Sequence, residues 1–589
     1  MRFIFSSITI LAFFTNFAQS LLPISSTAND YSKESISKYK SSFKSRNFDV
    51  ITTQPVGNLR TMAEWEELQA ICVTWTGYKN ILAQIIQEVQ SECEVIILCD
   101  DSATAKNELM SYNISLDNIS YVPANYNSIW MRDYGGNTVY KNYVDSLILV
   151  DWIYNRNRPF DNSSPAAIGN SKNIPVYEMS EPGTDLVHTG GNFMADGFGT
   201  GFSSELVDDE NGVNGDYNLT NKTPEEVNQL MEDWMGIDRY VKMPVLPYDD
   251  IHHIDMHMKL INEETILVGE FPQGISDGPQ IEMNIQYIKE NFNSVFGTPY
   301  KIVRIPMIPS FSGGYPNGNW GEPYYRTYAN NLIVNKKILV PTYRTEYDTI
   351  GIRILNEVMP GYEVIGIDCD NSPENIISLG GAIHCITKEI GVSDPLLISH
   401  QQLEDTYDIA NDYIVEALIM HRSGIENANL HYKTYVGSDF ITIPMTNISQ
   451  DNWSAQIPAQ NMGSEISYYI SATSNSGKNQ VRPITAPNGY FQFKIANAVD
   501  INENDISFGK VFPNPSKGLT CIEVKNNINF YGELGIFDLM GKKVKTIHSG
   551  FFYGKNRKYF VDVSDFKKGV YFLNISGNDR SKTYPLLVK

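Results

Sequence analysis

Cysteine is scarce, with 6 in 589 residues, and this excludes a small disulfide-built scaffold. Basic residues are outnumbered, 46 Lys and Arg against 68 Asp and Glu, for a net charge of −22. A chain this acidic argues against nucleic-acid binding, because neutralising phosphates takes clustered Lys and Arg. It suits a cationic substrate drawn in by the field of the whole protein. Apart from the extreme N-terminus no long apolar run occurs, which argues against a transmembrane segment. Hydrophobic residues still make up 42% and charged residues only 19%, so the chain is not of the disordered class.

The N-terminus reads as an export signal. Met1-Arg2-Phe3-Ile4-Phe5 carries one positive charge, the apolar stretch Ile8 to Phe14 follows, and Ala18 and Ser20 offer small residues for cleavage. Residues 1–20 are read as a signal peptide and 21–48 as a Ser-, Lys- and Asn-rich leader. Export permits disulfides. Cys93 and Cys99 could pair, while Cys72 and Cys99 sit in strand-like runs as buried thiols.

The length alone suggests about four domains at roughly 150 residues each. The pattern redistributes them. Residues 49–396 alternate strand-like and helix-like segments: a strand over Glu94–Leu98, a helix over Pro224–Met235 capped by Thr223, a strand over Thr265–Gly269 and a helix over Met283–Phe292. This is the signature of an α/β domain. Over 397–496 helical periodicity disappears. Short alternating runs such as Tyr413–Met420, Phe440–Met445 and Ser467–Ala472 suggest a small β-sandwich. Ala496–Asp505 reads as a linker, and 505–589 as a second small β module.

Five polar clusters punctuate the α/β region: Trp130-Met131-Arg132-Asp133, His188-Thr189-Gly190-Gly191-Asn192, His253-Ile254-Asp255, Tyr328-Ala329-Asn330-Asn331 and Gly380-Gly381-Ala382-Ile383-His384-Cys385. Positions 133, 188, 255, 330 and 385 lie 55 to 75 residues apart. That period suggests five supersecondary units, each sending one polar loop to a shared centre.

Each cluster also has a bland reading. Cys385 is compatible with a buried core thiol or a nucleophile. If His384 and Cys385 lie on a strand they point to opposite faces, which makes His384 a packed core histidine rather than the base. His253 and Asp255, two apart, share a face of an extended segment. His252, His253 and His257 invite a zinc site but lack a third-ligand spacing. Arg132-Asp133 alone could be an ion pair. Asp208-Asp209-Glu210-Asn211-Gly212 fails the EF-hand spacing and reads as a solvated loop. What joins a thiol, a histidine and two carboxylates is a planar cation. A guanidinium offers five N–H donors to two carboxylates, and a thiolate could attack its central carbon.

Taken in order, these motifs resemble the guanidine-modifying (pentein) superfamily. They resemble most closely the bacterial Porphyromonas-type peptidylarginine deiminases, with agmatine deiminases as cousins. The resemblance implies a five-bladed α/β propeller with Cys385 as nucleophile, Asp133 and Asp255 as guanidinium-binding carboxylates, His253 as general acid/base and Asn330 beside the reacting centre. It also implies a Trp130 contact with the substrate. Gly380-Gly381-Ala382-Ile383 departs from the family, which more usually has a third glycine. Asn155-Arg156-Asn157-Arg158-Pro159 resembles the secreted peptidylarginine deiminases, in which such arginines bind the α-carboxylate of a C-terminal arginine. By the residues alone, Arg156 and Arg158 read as solvated surface arginines. The expected activity is hydrolysis of arginine, at the C-terminus of a peptide or protein substrate, to citrulline. It requires no cofactor, and leaves room for a structural Ca²⁺ or Na⁺ ion. Agmatine or free arginine is the alternative substrate, and a secreted cysteine peptidase or a surface adhesin the alternative class.

The C-terminal parts carry resemblances of their own. Residues 397–496 look like an immunoglobulin-like domain. Residues 505–589 look like a type IX secretion sorting domain, through Phe512-Pro513-Asn514-Pro515, Phe537-Asp538-Leu539-Met540-Gly541-Lys542 and Lys568-Gly569-Val570-Tyr571-Phe572. That implies the type IX machinery as a partner and a secreted or cell-surface location.

Overall fold

One pattern is repeated five times between Leu59 and Gly391. A short strand pairs antiparallel with a second, which pairs parallel with a further strand, and a helix makes the parallel crossover. Thus Met258–Asn262 and Thr265–Glu270 run antiparallel, and helix Gly278–Asn291 returns the chain to Lys301–Pro306. Leu332–Val334, Lys337–Thr342 and Glu363–Asp368 repeat this around helix Thr345–Val358. Met194–Ala195, Thr200–Ser204 and Arg239–Met243 do so around two helices, Leu206–Asn211 and Pro224–Met235. Asn137–Lys141, Ser146–Asp151 and Val176–Glu178 do so around Ser164–Lys172, with Leu59–Thr61 added at the edge. In the fifth sheet the antiparallel partner of Leu68–Thr74 is Lys388–Gly391, so the end of this region pairs with its beginning. Glu94–Cys99 and Ile119–Pro123 complete that sheet in parallel.

This is the architecture of a computed structural model, which describes residues 48–589 except 216, 218, 319–320, 436–438, 497–505, 527–529, 553–556 and 578–579. The signal peptide, nearly all of the leader and most of the Ala496–Asp505 linker therefore lie outside the described residues.

Inner strands such as Glu94–Cys99 and Thr265–Glu270 are apolar on both faces, as strands covered on both sides must be, while the outer parallel strands Lys301–Pro306 and Glu363–Asp368 keep exposed positions. Val95, Ile97 and Leu98, and likewise Ile266, Leu267 and Val268, are fully buried. Helices such as Lys79–Val89, Pro224–Met235 and Thr345–Val358 show one apolar stripe. Pro224–Met235 buries Val227, Leu230, Met231, Trp234 and Met235, and Thr223 and Glu226 form a reciprocal capping box at its start. Helix Gly278–Asn291 begins five residues before the expected Met283, with Pro279 in its first turn, where a missing N–H costs nothing. Asp208, Asp209 and Glu210 do not form a solvated loop. They lie in helix Leu206–Asn211, with Asp208 paired to Lys242 and Glu210 accepting from Asn155. All six cysteines are free. Cys93 and Cys99 flank the ends of one strand, separated by about 20 Å at ~3.3 Å per residue, and cannot bridge.

Two compact units emerge. The first holds the described residues up to Glu404 together with Ala410–Ala459 and Ser464–Lys494. Beyond the five sheets it contains two antiparallel sheets: Leu397–Ser399, Tyr413–Met420, Asn452–Ile457 and Thr446–Ser449 in one, and Ile441–Pro444, Ile425–Lys433, Glu465–Ser474, Asn479–Arg482 and Phe491–Lys494 in the other. Their alternating burial, with Val415, Ala417 and Ile419 inside, is that of half-buried strands. The second unit comprises Asp405–Ile409, Gln460–Gly463 and the described residues from Ile495 onward. It is a three-stranded and a four-stranded sheet around Ile522, Val524, Leu534, Ile536, Leu573, Ile575 and Leu586. No helix among the described residues is long and apolar enough to cross a membrane.

Candidate active site

Each of the five polar clusters occupies the same place in its unit, immediately before the antiparallel strand. Met131–Tyr134 is a single helical turn ahead of Asn137–Lys141. Gly190–Asn192, Ile254–Met256 and His384–Ile386 are 3-10 turns ahead of Met194–Ala195, Met258–Asn262 and Lys388–Gly391. Residues 328–330 form a bend before Leu332–Val334. A turn there frees side chains from the ladder and directs them away from the sheet. This differs from the extended geometry expected for His253–Asp255 and for His384–Cys385. His253 is still extended, but Asp255 lies inside the turn, and Cys385 and His384 share one.

The turns meet. Gly191 N–H donates to Asp133 Oδ1 at 3.2 Å, and His253 Nδ1 lies 3.5 Å from the same oxygen. Asn330 Nδ2 donates to Asp255 Oδ2 at 3.0 Å and lies 3.2 Å from Cys385 Sγ. The Cys385 thiol is 3.7 Å from Asp255 Oδ2 and 3.5 Å from Asn330 Oδ1. Trp130 reaches the same place. A Cβ built on Gly381 would stand 2.7 Å from Trp130 Cζ3 and 3.0 Å from Cys385 Sγ, so only glycine fits between ring and thiol. All of these side chains are buried: Trp130, Asp133, Asn330 and Cys385 are 0% exposed, His253 1% and Asp255 2%. Asp133 Oδ2, Asp255 Oδ1 and both ring nitrogens of His253 have no hydrogen-bond partner among the described residues. Buried polar atoms are normally satisfied, so two carboxylate oxygens that can accept and an imidazole that can both accept and donate stand open to further partners here.

The electrostatics follow from burial. Burial and the neighbouring Asp255 charge push the Asp133 carboxyl up to about 7, against the opposing pull of Arg156, Thr189 and Gly191 N–H. Burial alone would raise Asp255 as well. The hydrogen bond and charge of His384 outweigh it and hold this carboxylate below its ordinary range. His253 is lowered to about 3 by burial, with Asp255 opposing. The Cys385 thiol is driven well above the ordinary value, first by burial and then by Asp255 and Asp133. A cation placed among these groups would oppose both rises, since each is driven in part by neighbouring negative charge.

The two arginines are not solvated. Arg156 is 5% and Arg158 2% exposed. Arg156 donates to Asn155 O at 2.8 Å, and its charge bears on Asp133 and His253. That of Arg158 bears on Tyr154 and Asp161. Arg132 does not pair with Asp133. It pairs with Glu389 at 2.7 Å and approaches Glu64 at 3.5 Å. His188 stacks on Trp152 and bonds Tyr240, so its cluster contributes glycine rather than histidine to the site. No group of three or more His, Cys, Asp or Glu side chains among the described residues is arranged to hold a metal ion.

Sequence reasoning missed Glu64. It sits in the turn after Leu59–Thr61 and bonds His384 from 320 positions away. The one available signal was an acidic residue among apolar neighbours in Met62-Ala63-Glu64-Trp65.

The chain is similar to known proteins over most of its length. The Porphyromonas-type peptidyl-arginine deiminase family model matches residues 60–390. The chain belongs to that family. The secretion system C-terminal sorting domain matches residues 510–589. A Vibrio parahaemolyticus protein carrying the name "Putative agmatine deiminase" is 24% identical over 328 residues, covering 52% of this chain and 86% of its own. A Mycoplasma mycoides protein of the same name is 25% identical over 302 residues, covering 47% and 78%. Among solved structures, the agmatine deiminase of Enterococcus faecalis matches 57% of this chain and 99% of its own at 16% identity and a TM-score of 0.46. That of C. jejuni matches 56% and 95% at 18% identity and a TM-score of 0.45.

Proposed function

We propose that this member of the deiminase family hydrolyses the guanidinium of a C-terminal peptidyl arginine to citrulline and ammonia. The observation that carries this reading is the placement of the Cys385 thiol against Asn330 and Asp255, with unsatisfied oxygens on Asp133 and Asp255 beside it. Two carboxylates buried together are costly unless a cation lies between them, and a guanidinium can bond both in a plane.

In this reading Asp133 and Asp255 bind the guanidinium nitrogens, and Trp130 covers the arginine stem or cation face. The positive charge stabilises the thiolate of Cys385, whose proton passes to His253. Sulfur bonds to the guanidinium carbon. One C–N bond then breaks, and the leaving nitrogen takes the proton from His253 and departs as ammonia. The resulting thiouronium is attacked by water, one proton of which His253 takes. The C–S bond then breaks, and the remaining hydroxyl proton passes to the departing sulfur as the carbonyl of citrulline forms. His253 gives its proton to the ammonia, which leaves as ammonium. The chemistry as written uses no cofactor. Asn330 holds the sulfur in line.

Arg156, buried and felt by Asp133 and His253, supports a carboxylate on the substrate, with Arg158 behind it. Agmatine lacks that carboxylate. It remains the second reading, because curated relatives bear its name. The peptidase reading requires an imidazole on the thiol, whereas the hydrogen bonds of Cys385 run to Asn330 and Asp255.

The five repeated sheets and the pairing of Lys388–Gly391 with Leu68–Thr74 support a closed five-bladed propeller over 49–396. An immunoglobulin-like module over 397–496 and a sorting module over 505–589 would follow. The sorting-domain match supports export to the cell surface or medium.

The test is mass spectrometry on a peptide ending in arginine, on free arginine and on agmatine. Conversion of the peptide by the wild type but not by Cys385→Ala is expected. Preferential conversion of agmatine would transfer the reading to that substrate, and peptide cleavage without citrulline would overturn it.

A further inference from the structure

His384 is neither a bystander beside the nucleophile nor a conventional core histidine. Its ring is 1% exposed, and both nitrogens face carboxylates brought from distant turns. Nδ1 lies 2.7 Å from Asp255 Oδ2, and Nε2 lies 3.0 Å from each oxygen of Glu64. An ionised carboxylate can only accept. A neutral imidazole has one N–H and one lone pair, and that lone pair would face an oxygen lone pair at one of the two contacts. Two hydrogen bonds to two carboxylates require a proton on each nitrogen.

We propose that His384 is a positioning residue, held as an imidazolium between Glu64 and Asp255, that fixes Asp255 as an anion with one oxygen turned to the substrate guanidinium. The inference rests on the reading of Asp255 as a guanidinium-binding carboxylate. Oδ2 of Asp255 is occupied by His384, Asn330 and the Cys385 thiol, and Oδ1 has no partner among the described residues. The division of labour between the two oxygens is therefore built into the fold. Removing the Nδ1–H leaves Oδ2 without its shortest bond and lets the carboxylate rotate or take a proton.

The surroundings fit a charged ring. Glu64 also meets Lys259 Nζ at 2.5 Å and Arg132 at 3.5 Å. Arg132 is paired with Glu389, which Lys388 also approaches at 3.4 Å. Glu64, Glu389 and Asp255 thus stand against Arg132, Lys259 and Lys388, and a protonated His384 adds one positive charge next to the place where sulfur becomes negative. The turn itself is pinned. His384 N–H donates to Asn330 Oδ1 at 3.2 Å, and Arg132 Nε donates to His384 O at 3.3 Å.

Three variants of the full chain test this. His384→Leu keeps the volume and loses both donors. His384→Asn keeps a donor near the Nδ1 position. Glu64→Gln removes the charge that faces Nε2. His384→Leu is expected to raise KM for the converted arginine substrate about 10- to 100-fold, the range for a hydrogen bond to a charged group. His384→Asn should recover most of that loss, and Glu64→Gln should fall between. Equal losses for Leu and Asn would assign His384 a packing role and overturn the proposal.

A second readout does not depend on turnover. In ¹⁵N-histidine NMR of the wild type at pH 7, the His384 resonances, assigned by their loss in His384→Asn, should be those of an imidazolium. A neutral-tautomer signature would overturn the proposal. If no arginine compound is converted by the wild type, the functional reading fails, and the NMR result still decides the charge of the ring. Should His384→Leu not fold, Glu64→Gln and the wild-type spectrum carry the test.

Discussion

Gly191 and His253 leave no room for each other to change. A Cβ on Gly191 would stand 2.4 Å from His253 Nδ1 and 2.9 Å from Asp133 Oδ1, well inside any normal contact. The glycine is what lets a backbone N–H reach the Asp133 carboxylate while the imidazole lies against it. Gly191→Ala should therefore displace the His253 ring or the carboxylate. A misplacement of about 1 Å at a reacting centre costs on the order of 10²-fold, so kcat/KM should fall by that order. Circular dichroism should be unchanged. Full activity in Gly191→Ala would mean that His253 and Asp133 do not act together.

Asp133 should govern the acidic limb of the pH profile. Its carboxyl sits near 7 in the free protein. As only the anion binds a guanidinium, kcat/KM should rise with pH through about 7. A bound cation lowers the carboxyl, so the limb in kcat should lie at lower pH. Steady-state rates between pH 5 and 9 check this, and coincident limbs would contradict it.

The same shift has a stability consequence. Between the unfolded carboxyl value of about 4 and the folded value near 7, the native state holds a proton that the unfolded chain has lost. Asp133 thus makes stability fall as pH rises through that window. His253, lowered to about 3, works the other way between about 3 and 6.5. Asp133→Asn removes the first effect only. It should raise Tm at pH 8 relative to wild type, by roughly 1 °C per kcal/mol recovered in a unit of this size. It should also abolish turnover. A lower Tm at pH 8 would show that the carboxylate is stabilised by contacts stronger than its burial.

Arg156→Ala should separate substrates. If its guanidinium holds a terminal carboxylate, KM for a peptide ending in arginine should rise at least about 10-fold, as expected for a charge-assisted bond. The amide-blocked peptide should be nearly unaffected. Equal effects on both would assign Arg156 to the electrostatics of Asp133 alone.

Thr223→Ala offers a contrast far from the chemistry. It removes the side-chain acceptor and the reciprocal box at the start of helix Pro224–Met235. It should cost about 1 kcal/mol of stability and leave kcat/KM unchanged, read by denaturant unfolding beside steady-state assays.

Local signals made much of this protein legible. Thr223, Pro224 and Glu226 define a helix start by short-range bonding, and the run Val95–Leu98 defines a buried strand by continuous apolarity. The five polar clusters could be placed in one centre because each unit recurs with similar length and carries its cluster just before a strand. Local pattern also misled. His384 and Cys385 look like strand residues among Ile383 and Ile386, yet they form a turn whose geometry no alternation reveals. Asp208 looks solvated, as its exposed neighbour Asp209 is, yet Lys242 from a neighbouring strand draws Asp208 into a pair.

By itself, the sequence determined the secondary-structure alternation, the positions of the candidate thiol, carboxylates and histidine, and the acidity that suits a cationic substrate. Only the tertiary structure decided which groups touch. Glu64 and His384 are 320 residues apart, and His384 and Asp255 are 129 apart. Separations of that size are set by how sheets pair and turns converge, not by spacing along the chain. The same holds for protonation. The value near 7 for Asp133 and the depressed Asp255 come from burial and from partners in other units, which exist only once the five turns meet.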